Sequence, residues 1–244
     1  MSNKLEKKLI LKGAIVAESG IMIGGTNSAF EIGGTDKQVI RNPINMMPYI
    51  PGSSLKGKLR SLLELSEGTI SSSGRQKSYG PTHNPQHIAA QLFGHIKHRE
   101  DNNNESQQAS RVIVRDGELQ NPEEFEGKTE LLHTEVKAEN SIDRITSAAN
   151  PRFFERVPKG ARFNLEIIVN IFKEDKNADK YLDTLFYAMN LVEDDYLGGS
   201  GSRGNGQIKF ELDSIFEKDA EAYKTDGKGK DVSNLIPIHF KSSK

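Results

Sequence analysis

The segment ARFNLEIIVNIF, residues 161–172, decides the type of fold. Its apolar residues occupy every second position: Phe163, Leu165, Ile167, Val169 and Ile171. Strict alternation predicts a β-strand with one buried face. The segment ADKYLDTLFYAMNLVE, residues 178–193, places its apolar residues at helical spacing instead, and GQIKFELDSIF, residues 206–216, returns to alternation. This part of the chain therefore predicts a strand, a helix and a strand in succession.

The preceding half of the chain predicts a similar succession. Residues 8–17 alternate as a strand, and PGSSLKGKLRSLLEL (51–65) has the apolar stripe of a helix that begins at Ser53 or Ser54 and ends near Gly68. RVIVRDGEL (111–119) predicts a further strand. The full order of strand, helix, strand, strand, helix, strand is typical of a ferredoxin-like α+β fold. The antiparallel sheet of this βαββαβ core leaves one face open for binding.

Long insertions separate these elements. We expect them at about 18–52, 66–110 and 120–160, within a single domain that covers residues 1–217. The C-terminal tail, residues 218–244, is charged and is expected to be weakly structured until the apolar NLIPIHF (234–240).

Composition excludes several classes of function. The chain has 244 residues, a net charge of −1 and no cysteine. Disulfides and thiolate metal sites are therefore excluded, and the cytoplasm is the expected location. No apolar run is long enough to cross a bilayer, so no membrane association is expected. Because the net charge is close to zero, nucleic acid can be bound only through local clusters of cations.

One basic cluster lies between residues 37 and 63, a stretch without acidic side chains. Its cations are Lys37, Arg41, Lys56, Lys58 and Arg60. On composition alone such a cluster is a solvated basic face. However, Lys56 and Lys58 fall in the first turn of the predicted helix, where the helix dipole disfavours cations. An anion bound at that N-terminus by Ser53, Ser54 and free N–H groups would offset this cost, and the alternative is that both lysines simply extend into water.

The stretch LGGSGSRGNGQIKF, residues 197–210, contains a GxGxxG pattern. A dinucleotide fingerprint requires a strand before the glycines and a helix after them, whereas this loop has the reverse order, and no Walker sequence is present. The simple alternative is a helix C-cap and turn, which needs one or two glycines. Five glycines in nine positions predict instead that a bulky ligand approaches the backbone. Exposed N–H groups together with Arg203 suit a phosphodiester chain.

These segments resemble a known family. IPGSSLKGKLRSLLE (50–64) and YLGGSGSRGNGQIKF (196–210) resemble the two signature regions of the RAMP superfamily of CRISPR proteins. TEVKAENSIDRITSAANPRFFERVPKGARF (134–163) and RVIVRDGEL resemble the backbone subunit of the type III-A (Csm) effector complex. The resemblance extends from the first strand to about residue 216. At Met22, some relatives carry a histidine instead.

The resemblance implies an RNA-recognition-like core, several copies of the chain stacked along a CRISPR guide RNA, and cleavage of the target RNA paired with that guide. The implied partners are guide RNA, target RNA, further copies of this chain and the other subunits of the complex. In the family the cutting residue is an aspartate after the first Gly-Gly segment, and Asp36 in EIGGTDKQVIRNP (31–43) matches it. Without the resemblance, an aspartate after Gly-Gly-Thr is more typical of a turn.

The chemistry implied for Asp36 is simple. RNA supplies its own nucleophile, the ribose 2′-hydroxyl, and a loop that splays a nucleotide can align it with the adjacent phosphorus. One carboxylate can then act as a general base or hold a divalent cation, Mg²⁺ or Mn²⁺, and the sequence leaves both roles open. The expected products are a cyclic phosphate and a free 5′-hydroxyl.

Residues 134–157 combine cations with apolar side chains. They predict either a buried hairpin with a charged rim or, by the resemblance, a thumb that inserts beside the guide–target duplex, with Ile145 as an apolar wedge. The residues expected to bind RNA are Ser53, Ser54, Lys56, Lys58 and Arg60 of the helix, Gly199, Ser200, Gly201 and Arg203 of the glycine loop, and Lys137, Arg144, Ile145 and Arg152 of the thumb.

Four histidines surround the apolar segment IAAQLFG (88–94), where some relatives have a cysteine-rich zinc motif. They are His83, His87, His95 and His98. An all-histidine set spread over polar segments is a poor structural site, and no structural zinc is expected.

The leading functional hypothesis is therefore an RNA-guided, metal-dependent endoribonuclease subunit. The main alternative is a purely structural RNA-binding subunit in which Asp36 is not catalytic. A third hypothesis, a nucleotide-dependent enzyme that uses the glycine loop, predicts saturable binding of free nucleotide.

Overall fold

The computed structural model describes residues 4–24, 38–73, 78–96, 108–225 and 227–242. The strands are β1 (Leu5–Ala17), β2 (Tyr49–Ile50), β3 (Ser71–Ser73), β4 (Ser78–Gly80), β5 (Val112–Val114), β6 (Gly117–Glu118), β7 (Glu135–Ile142), β8 (Ala149–Arg156), β9 (Arg162–Phe172), β10 (Ile208–Asp219) and β11 (Lys230–Asp231). The helices are α1 (Gly52–Ser66), α2 (Ile88–Phe93), α3 (Ala178–Glu193) and α4 (Ala220–Lys224).

The main sheet has five strands in the order β11-β10-β1-β9-β5, and every neighbouring pair is antiparallel. The central strand β1 bulges between Lys12 and Gly13. Gly13 is required there because a Cβ would collide with the carbonyl oxygen of Glu211 on β10. The structure thus confirms a mixed fold of helices and an antiparallel sheet.

Helices α1 and α3 supply the apolar layer against the sheet. The two helices contact each other, α1 also contacts β5, and α3 contacts β9 and β10. Leu55, Leu59 and Leu63 of α1 are almost fully buried, as the spacing of the leucines predicts. These leucines form one core cluster with Leu185 and Met189 of α3.

Most sequence-based boundaries are confirmed. The structure gives β9 as Arg162–Phe172 and α3 as Ala178–Glu193, and β1 and β10 each extend about three residues beyond the predicted strands. The expected single strand 111–119 is wrong. It is two short strands separated at Arg115 and Asp116, where the Asp116 side chain accepts from the Gly52 N–H of α1. β5 pairs with β9, and β6 pairs with β2 while the segment continues beside β9 through the bridge from Leu119 to Phe163.

The tail is more structured than its composition predicts. It includes α4 and β11, and β11 pairs with β10. Phe240 is fully buried, with its ring centroid 5.9 Å from that of Phe186 and 6.3 Å from that of Phe210. The tail therefore completes the core beside α3. Across the described ranges, no helix is long and apolar enough to cross a membrane.

Candidate nucleic-acid interface

The glycine loop, residues 197–206, lies against residues 20–24, the segment that follows β1. The Gly199 N–H donates to the Met22 carbonyl at 2.8 Å, and the Gly206 N–H donates to the Gly20 carbonyl at 2.9 Å. The loop is closed on itself by the Leu197 N–H, which donates to the Gly206 carbonyl at 2.8 Å. Two segments that are far apart in sequence thus form one surface.

Packing within the protein accounts for three of the five glycines in this loop. Gly198 and Gly206 have φ angles of 89° and 82°, and a Cβ at either position would collide with a backbone carbonyl, that of Met22 or that of Leu197. A Cβ at Gly201 would enter the ring of Tyr196. The fold itself thus requires three of the five glycines, and the approach of a bulky ligand to this backbone stays a prediction.

A groove of about 440 Å³ opens between this loop and the first turns of α1. Its lining residues are Met22, Ile23, Gly24, Ser54, Lys58, Leu197, Gly198 and Gly199. The Lys58 ammonium lies 2.7 Å from a carboxylate oxygen of Asp195 and 3.8 Å from the centroid of the Tyr196 ring. Among the described residues, the groove therefore contains one cation, which the protein already pairs with its own anion.

The start of α1 differs from the prediction. The N-cap is Pro51, and neither Ser53 nor Ser54 caps the helix with its side chain. The Gly52 N–H donates to the carboxylate of Asp116 at 2.8 Å. The helix dipole stabilises an anion at this N-terminus. The Asp116 carboxylate is that anion, so it comes from the protein itself. Ser53 is exposed and Ser54 lines the groove.

Lys56 and Arg60 make contacts within the protein. The Lys56 ammonium donates to the Ser110 hydroxyl at 2.7 Å, and burial, with the neighbouring charge of Arg60, lowers the pKa of Lys56. Arg60 pairs with Glu64 at 2.7 Å and donates to the carbonyl of Thr82 at 2.9 Å. Of the cations expected on α1, only Lys58 therefore lines the groove.

Strands β7 and β8 form a hairpin, which we call the thumb hairpin (residues 135–156). Its base is fastened to the glycine loop. The Lys137 ammonium donates to the Arg203 carbonyl at 2.7 Å, and the Arg156 guanidinium donates to the Asn205 side chain at 2.8 Å and to Glu135 at 2.7 Å. The thumb hairpin and the glycine loop thus share one surface.

A second, larger concavity of about 620 Å³ lies where these two elements meet. We call it the thumb pocket, and its lining residues are Lys137, Glu139, Asn140, Ser141, Arg152 and Arg203. Arg203 donates to Glu139 at 2.9 Å, and Lys137 lies 3.2 Å from the other oxygen of the same carboxylate. Burial raises the pKa of Glu139, but hydrogen bonds and charge from Lys137 and Arg203 lower it by more, so that this carboxylate is ionised at neutral pH.

The distal half of the thumb hairpin is exposed, so the alternative of a buried hairpin with a charged rim is wrong. Asp143 accepts hydrogen bonds from the backbone N–H groups of Ile145 and Thr146, which shape the turn and lower the pKa of Asp143. Ile145 at the tip is 94% exposed. Arg144 and Arg152 are also exposed, and neither forms an ion pair with another described residue.

A buried polar cluster joins the thumb hairpin to the segment that follows Asp36. Asp36 and Lys37 lie outside the described residues, and the chain resumes at Gln38. The Val39 N–H donates to the Glu155 carboxylate at 2.9 Å, and Arg41 pairs with the same carboxylate at 2.5 Å. Thr134 donates to it at 2.6 Å, and Glu155 is only 3% exposed.

Val39 is also held from the other side of the same segment. It bridges to Gly24, and the Ile40 N–H donates to the Ile23 carbonyl at 2.9 Å. Gly24 and residues 38–39, the described residues on either side of 25–37, thus lie at one end of the groove. Sequence analysis missed Glu155, Asp116, Asp195 and Glu139, because each meets a partner remote in the chain and leaves no local pattern.

The histidines do not form an evident metal centre. The His87 ring pairs with the Thr82 hydroxyl at 2.8 Å and with the Asn84 side chain at 3.2 Å. His95 is buried, and His98 lies outside the described residues. Within the described ranges, no group of three or more His, Cys, Asp or Glu side chains could hold a metal ion. The expectation of no structural zinc stays a prediction.

Known proteins share this sequence and fold. The family description "RAMP superfamily" matches residues 14–209. A Methanocaldococcus jannaschii protein named CRISPR system Cms endoribonuclease Csm3 is 43% identical over 95% of this chain and 90% of its own length. A protein of the same name from Streptococcus thermophilus is 38% identical over 84% of this chain and 87% of its own length.

Solved structures agree with the sequence relatives. A chain of the Csm3–Csm4 subcomplex of the type III-A CRISPR-Cas interference complex is 31% identical, with a TM-score of 0.58 over 94% of this chain and 90% of that chain. Csm3 of Methanopyrus kandleri has a TM-score of 0.59 at 22% identity and supports the fold alone. From these matches, this chain belongs to the RAMP superfamily and, within it, to the Csm3 family.

Proposed function

We propose that this chain is the guide-RNA-binding backbone subunit of a type III-A CRISPR effector complex, in which it cleaves the target RNA paired with the guide. The relatives that are named endoribonuclease Csm3 support the cleavage activity. The structural observation that carries the RNA-binding part is the junction of the thumb hairpin and the glycine loop. There Lys137, Arg152 and Arg203 line one open concavity beside the groove at α1.

The order of elements supports a finer description of the fold. Strands β10, β1, β9 and β5, with α1 and α3 between them in sequence, follow the strand order of a ferredoxin-like βαββαβ core. We propose such a core within a single domain over 1–217, with the tail at 218–244 packed against it. The hairpin β7–β8 is then the thumb.

We propose that RNA follows the surface from the groove to the thumb pocket. The exposed or pocket-lining residues of the predicted set are Ser53, Ser54, Lys58, Gly199, Arg203, Lys137 and Arg152, with Arg144 and Ile145 at the tip of the thumb hairpin. Ser200 and Gly201, which are half-buried, lie between Gly199 and Arg203 in the glycine loop. Backbone N–H groups and cations position a phosphodiester chain without reading its sequence. Lys56 and Arg60 contribute after they exchange their internal partners for RNA.

For the chemistry, we propose that the chain splays one target nucleotide so that its 2′-hydroxyl attacks the adjacent phosphorus. The 5′-oxygen leaves, which gives a cyclic 2′,3′-phosphate and a free 5′-hydroxyl. Asp36 acts on this reaction as a general base or as a metal ligand. A Mg²⁺ or Mn²⁺ ion held by Asp36, RNA phosphate oxygens and water would stabilise the charge that develops at phosphorus. Val39, three residues after Asp36, donates its N–H to Glu155, so the first described residues after Asp36 are held against the thumb hairpin.

Removal of divalent cations is expected to stop cleavage, and Mg²⁺ or Mn²⁺ should restore it. The melting temperature of the protein should not change, because we expect no structural zinc. Cleavage, RNA binding and thermal unfolding are measured on the same sample with and without chelator. A large drop in melting temperature on chelation would reveal a structural metal, and undiminished cleavage would remove the metal from the mechanism.

The alternative function is a structural subunit that binds RNA without cutting it. Complexes assembled with guide RNA decide between the two, because only the proposed function predicts cuts in a paired target. The cut ends carry a second signature: a 5′-hydroxyl that polynucleotide kinase labels directly supports attack by the 2′-hydroxyl. Saturable binding of free nucleotide would instead favour the third hypothesis.

RNA binding is expected to be cooperative in RNA length. With a net charge of −1, and with Lys58, Lys137 and Arg203 paired internally, one copy should bind only a short stretch of RNA. Neighbouring copies on one RNA raise the effective concentration of each further contact. Affinity should fall as the salt concentration rises. Lys56→Ala or Arg203→Ala should each reduce the slope of the logarithm of affinity against the logarithm of salt concentration by about 0.7. Titration of RNAs of graded length at several salt concentrations tests this. Tight, salt-insensitive binding of one copy to a very short RNA would contradict it.

A further inference from the structure

The thumb pocket contains its own anion. The Glu139 carboxylate on β7 forms ion pairs with Lys137 and Arg203, and Arg152 on the neighbouring strand lines the same pocket. Two cations thus hold this carboxylate, and a third lies in the pocket wall. A phosphate group of RNA can bind the same donors, because arginine and lysine form charge-assisted hydrogen bonds with carboxylates and phosphates alike.

Glu139 is incompletely satisfied in this position. One oxygen accepts a hydrogen bond from Arg203, whereas the other, Oε1, lies 3.2 Å from the Lys137 ammonium in an ion pair without good hydrogen-bond geometry. An oxygen held in this way is only partly compensated for the water that it has lost. The carboxylate therefore gains hydrogen bonds with water when it leaves the pocket.

The junction does not depend on Glu139. Lys137 donates to the Arg203 carbonyl, and Arg156 donates to Asn205, so two other hydrogen bonds join the thumb hairpin to the glycine loop. By contrast, Glu139 is the only described partner of the Arg203 guanidinium, and the Arg203 side chain is 56% exposed. Loss of the carboxylate thus frees Arg203 while the junction stays in place.

We propose that Glu139 is an internal competitor of RNA, whose carboxylate occupies the place of a backbone phosphate between Lys137 and Arg203 until RNA displaces it. This inference rests on the proposed function, because it assumes that RNA enters the thumb pocket. Because RNA must first displace this carboxylate, Glu139 weakens the binding of RNA to each copy. RNA that makes few contacts is rejected, whereas RNA held by a row of copies displaces every Glu139 in turn.

The test is a comparison of Glu139→Gln with Glu135→Gln in the full chain. Both changes remove one negative charge from β7 beside an arginine, but Glu135 pairs with Arg156 outside the pocket lining. The probe is a fluorescent single-stranded oligouridylate, titrated at several salt concentrations. Glu139→Gln should bind it about three- to ten-fold more tightly at low salt, with a salt slope steeper by about 0.7. Glu135→Gln should change affinity by less than about two-fold, and both melting temperatures should stay near the wild-type value.

Each other outcome overturns the proposal. Equal gains in both variants would assign the effect to net charge, and weaker binding by Glu139→Gln would make the carboxylate an organiser of the cations. Arg203→Ala, measured in parallel, separates this inference from the proposed function. If Arg203→Ala loses affinity and Glu139→Gln gains none, only the role of Glu139 is wrong. If Arg203→Ala binds like the wild type, RNA does not use this pocket and both proposals fail.

Discussion

Asp36→Ala is expected to reduce target-RNA cleavage by about 10²- to 10⁴-fold, the range over which a positioned acid or base contributes to a reaction. Assembly and target binding should persist, because the cations and backbone groups proposed to hold RNA lie on other segments. The variant is assembled with guide RNA, and the rate of cleavage at saturating target is compared with the dissociation constant of the target. A loss in rate alone places Asp36 in the chemistry.

Two further variants sharpen this experiment. Asp36→Asn keeps the size of the side chain and removes the charge, so it should be nearly as slow as Asp36→Ala if the carboxylate acts as base or metal ligand. Asp213→Ala removes an equivalent charge from an exposed position on β10 and should cleave at the wild-type rate. Undiminished cleavage by Asp36→Ala would support the structural alternative.

Glu155→Ala is expected to lower the free energy of unfolding by about 3–5 kcal/mol, the usual cost of removing one partner of a buried ion pair. The substitution leaves the Arg41 guanidinium without its carboxylate and deprives the Val39 N–H and the Thr134 hydroxyl of their acceptor. Because Glu155 is 3% exposed, solvent cannot easily replace these contacts. Chemical denaturation followed by circular dichroism measures the change.

The matched control is Glu211→Ala, which breaks the Arg162–Glu211 pair on the sheet. The two side chains of this pair are 37% and 23% exposed, so the loss should stay below about 1 kcal/mol. The loss of unfolding free energy for Glu155→Gln, which retains one oxygen acceptor, should lie between those of Glu155→Ala and Glu211→Ala. A loss for Glu155→Ala no greater than that for Glu211→Ala would show that the cluster contributes no more than a surface pair.

The sequence predicts elements whose pattern is local. The alternation in β9 and the helical spacing in α3 lie within single segments, and the structure confirms their bounds. The break between β5 and β6 could not be predicted in this way, because the residue at the break, Asp116, binds Gly52, 64 residues away. The place of Phe240 in the core could not be predicted for a similar reason, since its partner Phe210 lies on a distant strand.

The same limit applies to the candidate site. Cations such as Lys58 and Arg203 were identified from local charge and from the resemblance, and the structure places both beside open concavities. Their partners Asp195 and Glu139 were not predicted, because each meets its cation only after the chain folds. A count of charges along the sequence thus includes cations that are already paired with carboxylates in the folded protein.

The packing of the glycine loop bears on how ancestry is inferred from sequence. Gly198, Gly201 and Gly206 are required by contacts with Met22, Tyr196 and Leu197, so a descendant that has lost its chemistry must still keep them in order to fold. These three glycines therefore indicate common ancestry but not activity, because an inactive relative retains them as an active one does. Arg203 is under no such constraint, because its side chain is largely exposed. In a lineage that no longer binds RNA, we expect substitutions at Arg203 before any at Gly198, Gly201 or Gly206.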